Sequence, residues 1–222
     1  MSDFPGRPRV TRGALVVFGT SAPVPTQLIV FPLNPESVSR RFDLGQSAAG
    51  RAAAGTTETH TPATAPGETL TVTLDLDATD DLEQPAQHPV TVISGLLPVL
   101  SALEQLLYPS VLMAGLVRTL AAIGGATITP ATKPWVVFVW GLGRIVPVKV
   151  SGLTITEQAF DPRLNPISAR VEMALTVLTA EDLAGAPSLL QGLPMVHAIT
   201  REALSITETA ASIAAAPNVL PL

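Results

Sequence analysis

The sequence predicts a mainly β (α+β) protein: an antiparallel β-barrel or sandwich with one packed helix and a helical C-terminal tail. Three observations predict it. Thr69–Leu76 and Ile167–Val177 alternate apolar and polar side chains, the period of half-buried strands. Trp135–Trp140 (WVVFVW) is apolar throughout, as a strand covered on both faces would be. Two segments have helical spacing instead: Leu96, Leu100, Leu103 and Leu107, and the series Val196, Ile199, Ala203, Ile206, Ala210, Ile213.

Taken along the chain, Ala14–Phe18 and Gln27–Phe31 are short apolar runs bounded by glycine and proline, which read as strands. Pro32-Leu33-Asn34-Pro35 is a tight turn, because a residue before proline is pushed toward extended geometry. Residues 45–67 are almost entirely Gly, Ala, Ser, Thr and Pro and read as a flexible insertion, lacking apolar side chains to offset the entropy of ordering. In Thr69–Leu76 the residues Leu70, Val72, Leu74 and Leu76 share one face, and an acidic stretch from Asp77 to Glu83 ends the strand. The leucine helix tolerates Pro98 if that residue lies in the first turn. Residues 109–132 form an apolar insertion, with a second helix expected over Val111–Ile123. Ile145–Thr156 is a long strand whose alternation slips at Ser151-Gly152, predicting a β-bulge. The expected division is a β domain over 1–178 and a helical extension over 179–222. The tail helix is expected to dock its apolar stripe on its own domain, since an isolated helix is marginal in water; a neighbouring subunit is the alternative.

Composition narrows the function. Hydrophobic residues make up 47% and charged residues 14% of the chain, against about 25% charged in an average soluble domain. Such a surface points either to a membrane or to burial against other copies or partners. From Gln105 to Thr132 the one charge is Arg118, but it falls mid-segment beside Pro109 and Gly124-Gly125, so no membrane insertion is expected. Arg7, Arg9 and Arg12 precede an apolar run too short for a signal peptide, so synthesis in the cytoplasm is expected.

Chemistry is sparse. Without cysteine there is no disulfide, thiolate metal site or cysteine nucleophile. His60, His88 and His197 share no spacing with one another or with a serine. The run Gly45-Gln46-Ser47-Ala48-Ala49 lacks the second glycine of a nucleophile elbow. After Gly141-Leu142-Gly143, Val146 stands where a dinucleotide fingerprint needs its third glycine, so this reads as a hairpin turn. Counted from Asp75, the calcium-loop positions for Gly and Glu hold Asp80 and Ala86. The net charge of −5 and the scattered Arg40-Arg41 give no nucleic-acid footprint. No catalytic, cofactor-binding or metal site is expected.

Four landmarks, in order across residues 14–178, carry a family resemblance. They are the turn at Asn34-Pro35; the strand LTVTLDLDAT, with Asp77 near its end; the strand PWVVFVWG, with Pro134, Phe138, Trp140 and Gly141; and a hairpin with Phe160-Asp161-Pro162, Asn165-Pro166 and Arg170. The sequence resembles the contractile injection system tube-protein N-terminal family. That resemblance implies a tube-type barrel in a ring of copies, six-fold symmetric. It also implies a baseplate adaptor role, with an inner tube protein, a spike or hub protein and other baseplate proteins as partners, and no cofactor. Relatives carry a LysM module, whereas the tail here reads as one helix. An inner tube protein and a small-molecule-binding β-barrel are the alternatives.

Overall fold

The computed structural model describes residues 12–19, 24–43, 66–108, 134–141 and 143–215. Seven strands form one antiparallel sheet: β1 (Ala14–Phe18), β2 (Pro25–Val30), β3 (Ser37–Asp43), β4 (Gly67–Asp77), β5 (Trp135–Val139), β6 (Ile145–Phe160) and β7 (Pro166–Val177). Their spatial order is β2-β1-β5-β6-β7-β4-β3. The helices among the described residues are α1 (Thr79–Leu82), α2 (Pro89–Ser94), α3 (Leu97–Glu104), α4 (Ser188–Gln191) and α5 (Leu193–Ala215). The helix expected over Val111–Ile123 and nearly all of the insertion at 45–67 lie outside the described residues, although Gly67 already belongs to β4.

The periodicities act as read. Leu70, Val72, Leu74 and Leu76 of β4 are buried, as are Ala169, Val171, Met173 and Leu175 of β7. β5 is interior to the sheet and Val136, Val137 and Phe138 are all buried, so both its faces are covered. β6 shifts register against β7 between Val150 and Gly152, at the phase slip seen in the sequence, and twice more near its end. In α3, Pro98 sits in the first turn, where a missing N–H costs no helical hydrogen bond. Leu100 and Leu103, flanked by Leu96 and Leu106, are buried in the main core.

Among the described residues the pairings do not close the sheet: β2 pairs with β1 alone and β3 with β4 alone. The sheet is nevertheless curled. Six inter-strand spacings would hold the edges of a flat seven-stranded sheet roughly 29 Å apart. The chain runs from Val30 on one edge to Ser37 on the other in seven Cα steps, which reach at most about 25 Å. Both ends of this link are tied down, Phe31 N–H to the Gly13 carbonyl at 2.9 Å and Glu36 N–H to the Thr73 carbonyl at 2.9 Å.

The concave face encloses one continuous core, from Ile29 and Phe31 through Phe138 and Val148 to Leu74 and Met173, with α3 packed into it. A smaller cluster lies under the segment after β7, where Leu183, Ala186 and Leu190 pack on Phe18 and Val137. No helix among the described residues is long and apolar enough to cross a membrane.

Candidate functional site

The β6–β7 hairpin tip is built by one carboxylate. Asp161 Oδ1 accepts from the backbone N–H of Arg163 (2.7 Å) and Asn165 (2.8 Å), and Oδ2 accepts from Asn165 Nδ2 (2.8 Å). These bonds, those from Asn165 foremost, hold the Asp161 carboxyl below the usual range. Asn165 Nδ2 also donates to the Ile93 carbonyl at 3.0 Å, fastening the tip to α2. Leu96 N–H donates to the Pro166 carbonyl at 2.8 Å. Gly95, at φ +56°, lets the chains approach, because a Cβ there would collide with that carbonyl oxygen. The result presents Leu164 outward at φ +65°, 79% exposed, next to the half-exposed Phe160. A leucine in the left-handed region is a strained residue, retained where its surroundings over-determine it.

The remaining motif residues are distributed over the fold. Asn34 and Pro35 lie in the link between the two sheet edges. Asp77 Oδ1 accepts from Thr79 N–H at 2.7 Å and turns β4 into α1. Pro134 leads into β5. Phe138 is fully buried and stacks on Trp140, ring centroids 4.6 Å apart. Gly141 begins the β5–β6 turn, where Trp140 N–H donates to the Arg144 carbonyl and Arg144 N–H to the Gly141 carbonyl, each at 3.2 Å. Pro162 is exposed at the hairpin tip. Arg170 on β7 pairs with Glu36 and, at 3.7 Å, with Asp75, its cross-strand partner. The structure thus unites Phe160, Asp161, Pro162, Asn165 and Pro166 at one tip, Phe138 and Trp140 in one stack, and leaves the four landmarks as separate places.

A second polar site has no counterpart in the motif reading. Glu68 lies in phase with the inward leucines of β4, so its carboxylate points inward and is 5% exposed. Arg40 on the neighbouring β3 grips Glu68 Oε1 from Nε (2.8 Å) and Nη2 (2.6 Å). From α5, Arg201 Nη2 reaches Glu68 Oε2 at 3.4 Å, and His197 Nε2 stands 3.8 Å from the same oxygen. Both guanidiniums also face the Phe42 ring, at 5.1 Å for Arg40 and 5.7 Å for Arg201, within cation–π range. His197 is 9% exposed, and neither ring nitrogen has a hydrogen-bond partner among the described residues. Burial, then the nearby Arg201, hold this imidazole below its usual pKa, while Glu68 opposes them. A signal for Glu68 existed in the sequence: running the period of β4 back two residues from Leu70 lands on it.

α5 turns this polar side toward the sheet, so its apolar stripe faces away. Val196, Ile199 and Ile206 are 58%, 54% and 63% exposed, and Ala203 and Ala210 are exposed too. The expectation that the stripe docks on its own domain is therefore not met. The side turned to the sheet instead buries His197 and brings Arg201 to Glu68.

No family model matches this sequence, and no curated protein matches it.

Proposed function

We propose that this chain is a structural component of a phage-tail-like contractile injection system, a baseplate adaptor joining the inner tube to the spike or hub. On this reading it is not an enzyme and works as one copy in a ring, its curled sheet serving as a tube-type barrel wall. The observation that carries the assembly half of the reading is β2. It is an edge strand without a charge, paired on one side only among the described residues, and Leu28 and Val30 on it are 60% and 44% exposed. Exposed apolar edges invite pairing with another chain. The uncovered stripe of α5 and the projecting Leu164 add further contact surface on a chain poor in charge. What supports the choice of particle is the resemblance carried by the four landmarks.

The test is negative-stain imaging of particles from the native source with quantitative mass spectrometry. Expected is this chain inside tail-like particles at a copy number near that of other baseplate proteins. A copy number matching the stacked tube would make it the inner tube protein. Its absence from every such particle would end the proposal.

A further inference from the structure

A cleft of about 590 Å³ separates α5 from the sheet. Its helical wall carries Pro194, His197, Ala198 and Arg201, and its sheet wall is apolar, with Val146, Pro147, Val177 and Leu178. Glu68 and Arg201 also line it, and Arg40 grips Glu68 from β3 without lining the cleft. Arg40 and Arg201 contribute two positive charges and Glu68 one negative, so with a neutral imidazole the cluster keeps a net charge of +1. Arg201 spends one long contact on Glu68 Oε2, at 3.4 Å, which leaves most of its five N–H donors without a partner among the described residues. The neutral His197 offers one N–H and one lone pair, both without partners among the described residues. A buried polar group left so costs stability until something bonds it. Glu202 also lines the cleft and is exposed, as Arg201 is by about half, so water screens both, and it is the bonds of Arg201 and His197 rather than charge alone that would hold a ligand.

An apolar cleft that ends in one surplus positive charge and an unsatisfied donor matches one chemical class. We infer that the cleft binds an amphipathic monocarboxylate, its carboxylate held by Arg201 and the His197 N–H and its hydrocarbon lying against Val146, Pro147, Val177 and Leu178. The volume suits a small ligand. An alkylammonium head would meet the same surplus charge and be repelled, and an alcohol would gain the apolar wall without the charge-assisted bond. The inference does not rest on the baseplate reading, and failure of either leaves the other standing.

Calorimetric titration of the full chain with octanoate, octanol and octylammonium tests it. Expected is saturable octanoate binding at least about tenfold tighter than octanol, with no octylammonium binding. R201Q, at a half-exposed position, should keep the fold by circular dichroism and lower octanoate affinity about tenfold. A198F, which fills the cleft, should abolish binding while the fold persists. Absence of octanoate binding, equal affinity for octanol, or full affinity in R201Q would each overturn the inference.

Discussion

The two edges of the sheet are treated in opposite ways. β3 carries Arg40, Arg41 and Asp43, and its Arg40 grips Glu68 of β4, which Arg201 of α5 also reaches. β2 has no charged residue and shows Leu28 and Val30 to the outside. Natural sheets protect exposed edges with charge, inward-pointing ionic groups or a covering element, because unpaired N–H and C=O groups are templates for a further strand. Among the described residues β3 has charge and an ion pair turned inward to Glu68, whereas β2 has no charge and only α3 beside it. A chain that charges one edge and leaves the other apolar is arranged to pair on one side only.

Substitutions can break or sharpen that contrast. A reference away from both edges sets the scale: Gly95→Ala forces a side chain into the left-handed region and against the Pro166 carbonyl, and should cost about 3–5 kcal/mol in urea unfolding. On the guarded edge, Arg40→Ala leaves the buried Glu68 carboxylate with only the long Arg201 contact. A loss of about 2 kcal/mol is expected, below the value for a fully buried pair because Arg40 is a third exposed. A loss near zero would show that the ionic cluster does not secure β3. On the bare edge, Leu28→Lys should change unfolding stability by less than about 0.5 kcal/mol. Its effect belongs to association: sedimentation should find the wild type concentration-dependent and the variant monomeric, and equal association would remove β2 from the interface.

The smallest effect is a pH slope on the guarded side. The groups facing His197 are Glu68 on β4, Arg40 on β3 and Arg201 of its own helix. Its folded pKa is lowered, so below the ordinary value of about 6.5 the unfolded chain binds the proton first. Stability is therefore full above that value and declines as pH falls through it toward the folded pKa. His197→Gln should flatten the slope between pH 7 and 5.5, and an unchanged slope would mean that the imidazole is not sequestered.

What could be read from the sequence follows the same division. β4, β7 and the bulge of β6 were legible because each strand keeps one face in the core, and burial writes a period of two. α3 was legible because its leucines line one side. β3 was not, because an edge strand that is mostly exposed has little apolar pattern: in SVSRRFD, Val38 and Phe42 are the apolar positions. The curl of the sheet was hidden as well, since it comes from a link between strands that never pair. The hairpin tip was visible because Asp161 and Asn165 are close in the chain. The Glu68 cluster was invisible to spacing because its members come from β3, β4 and α5 and meet only in the folded sheet.

The strand order also sets the order of events during synthesis. β1 and β2 leave the ribosome early and can form their hairpin at once, but the inner side of β1 waits for Trp135–Val139, and β4 waits for β7. Until then each presents an apolar face, and distant pairings of this kind form slowly. The nascent chain therefore spends much of its translation with half-sheets uncovered, and a holding chaperone that binds extended apolar strands should meet it before its final partners do.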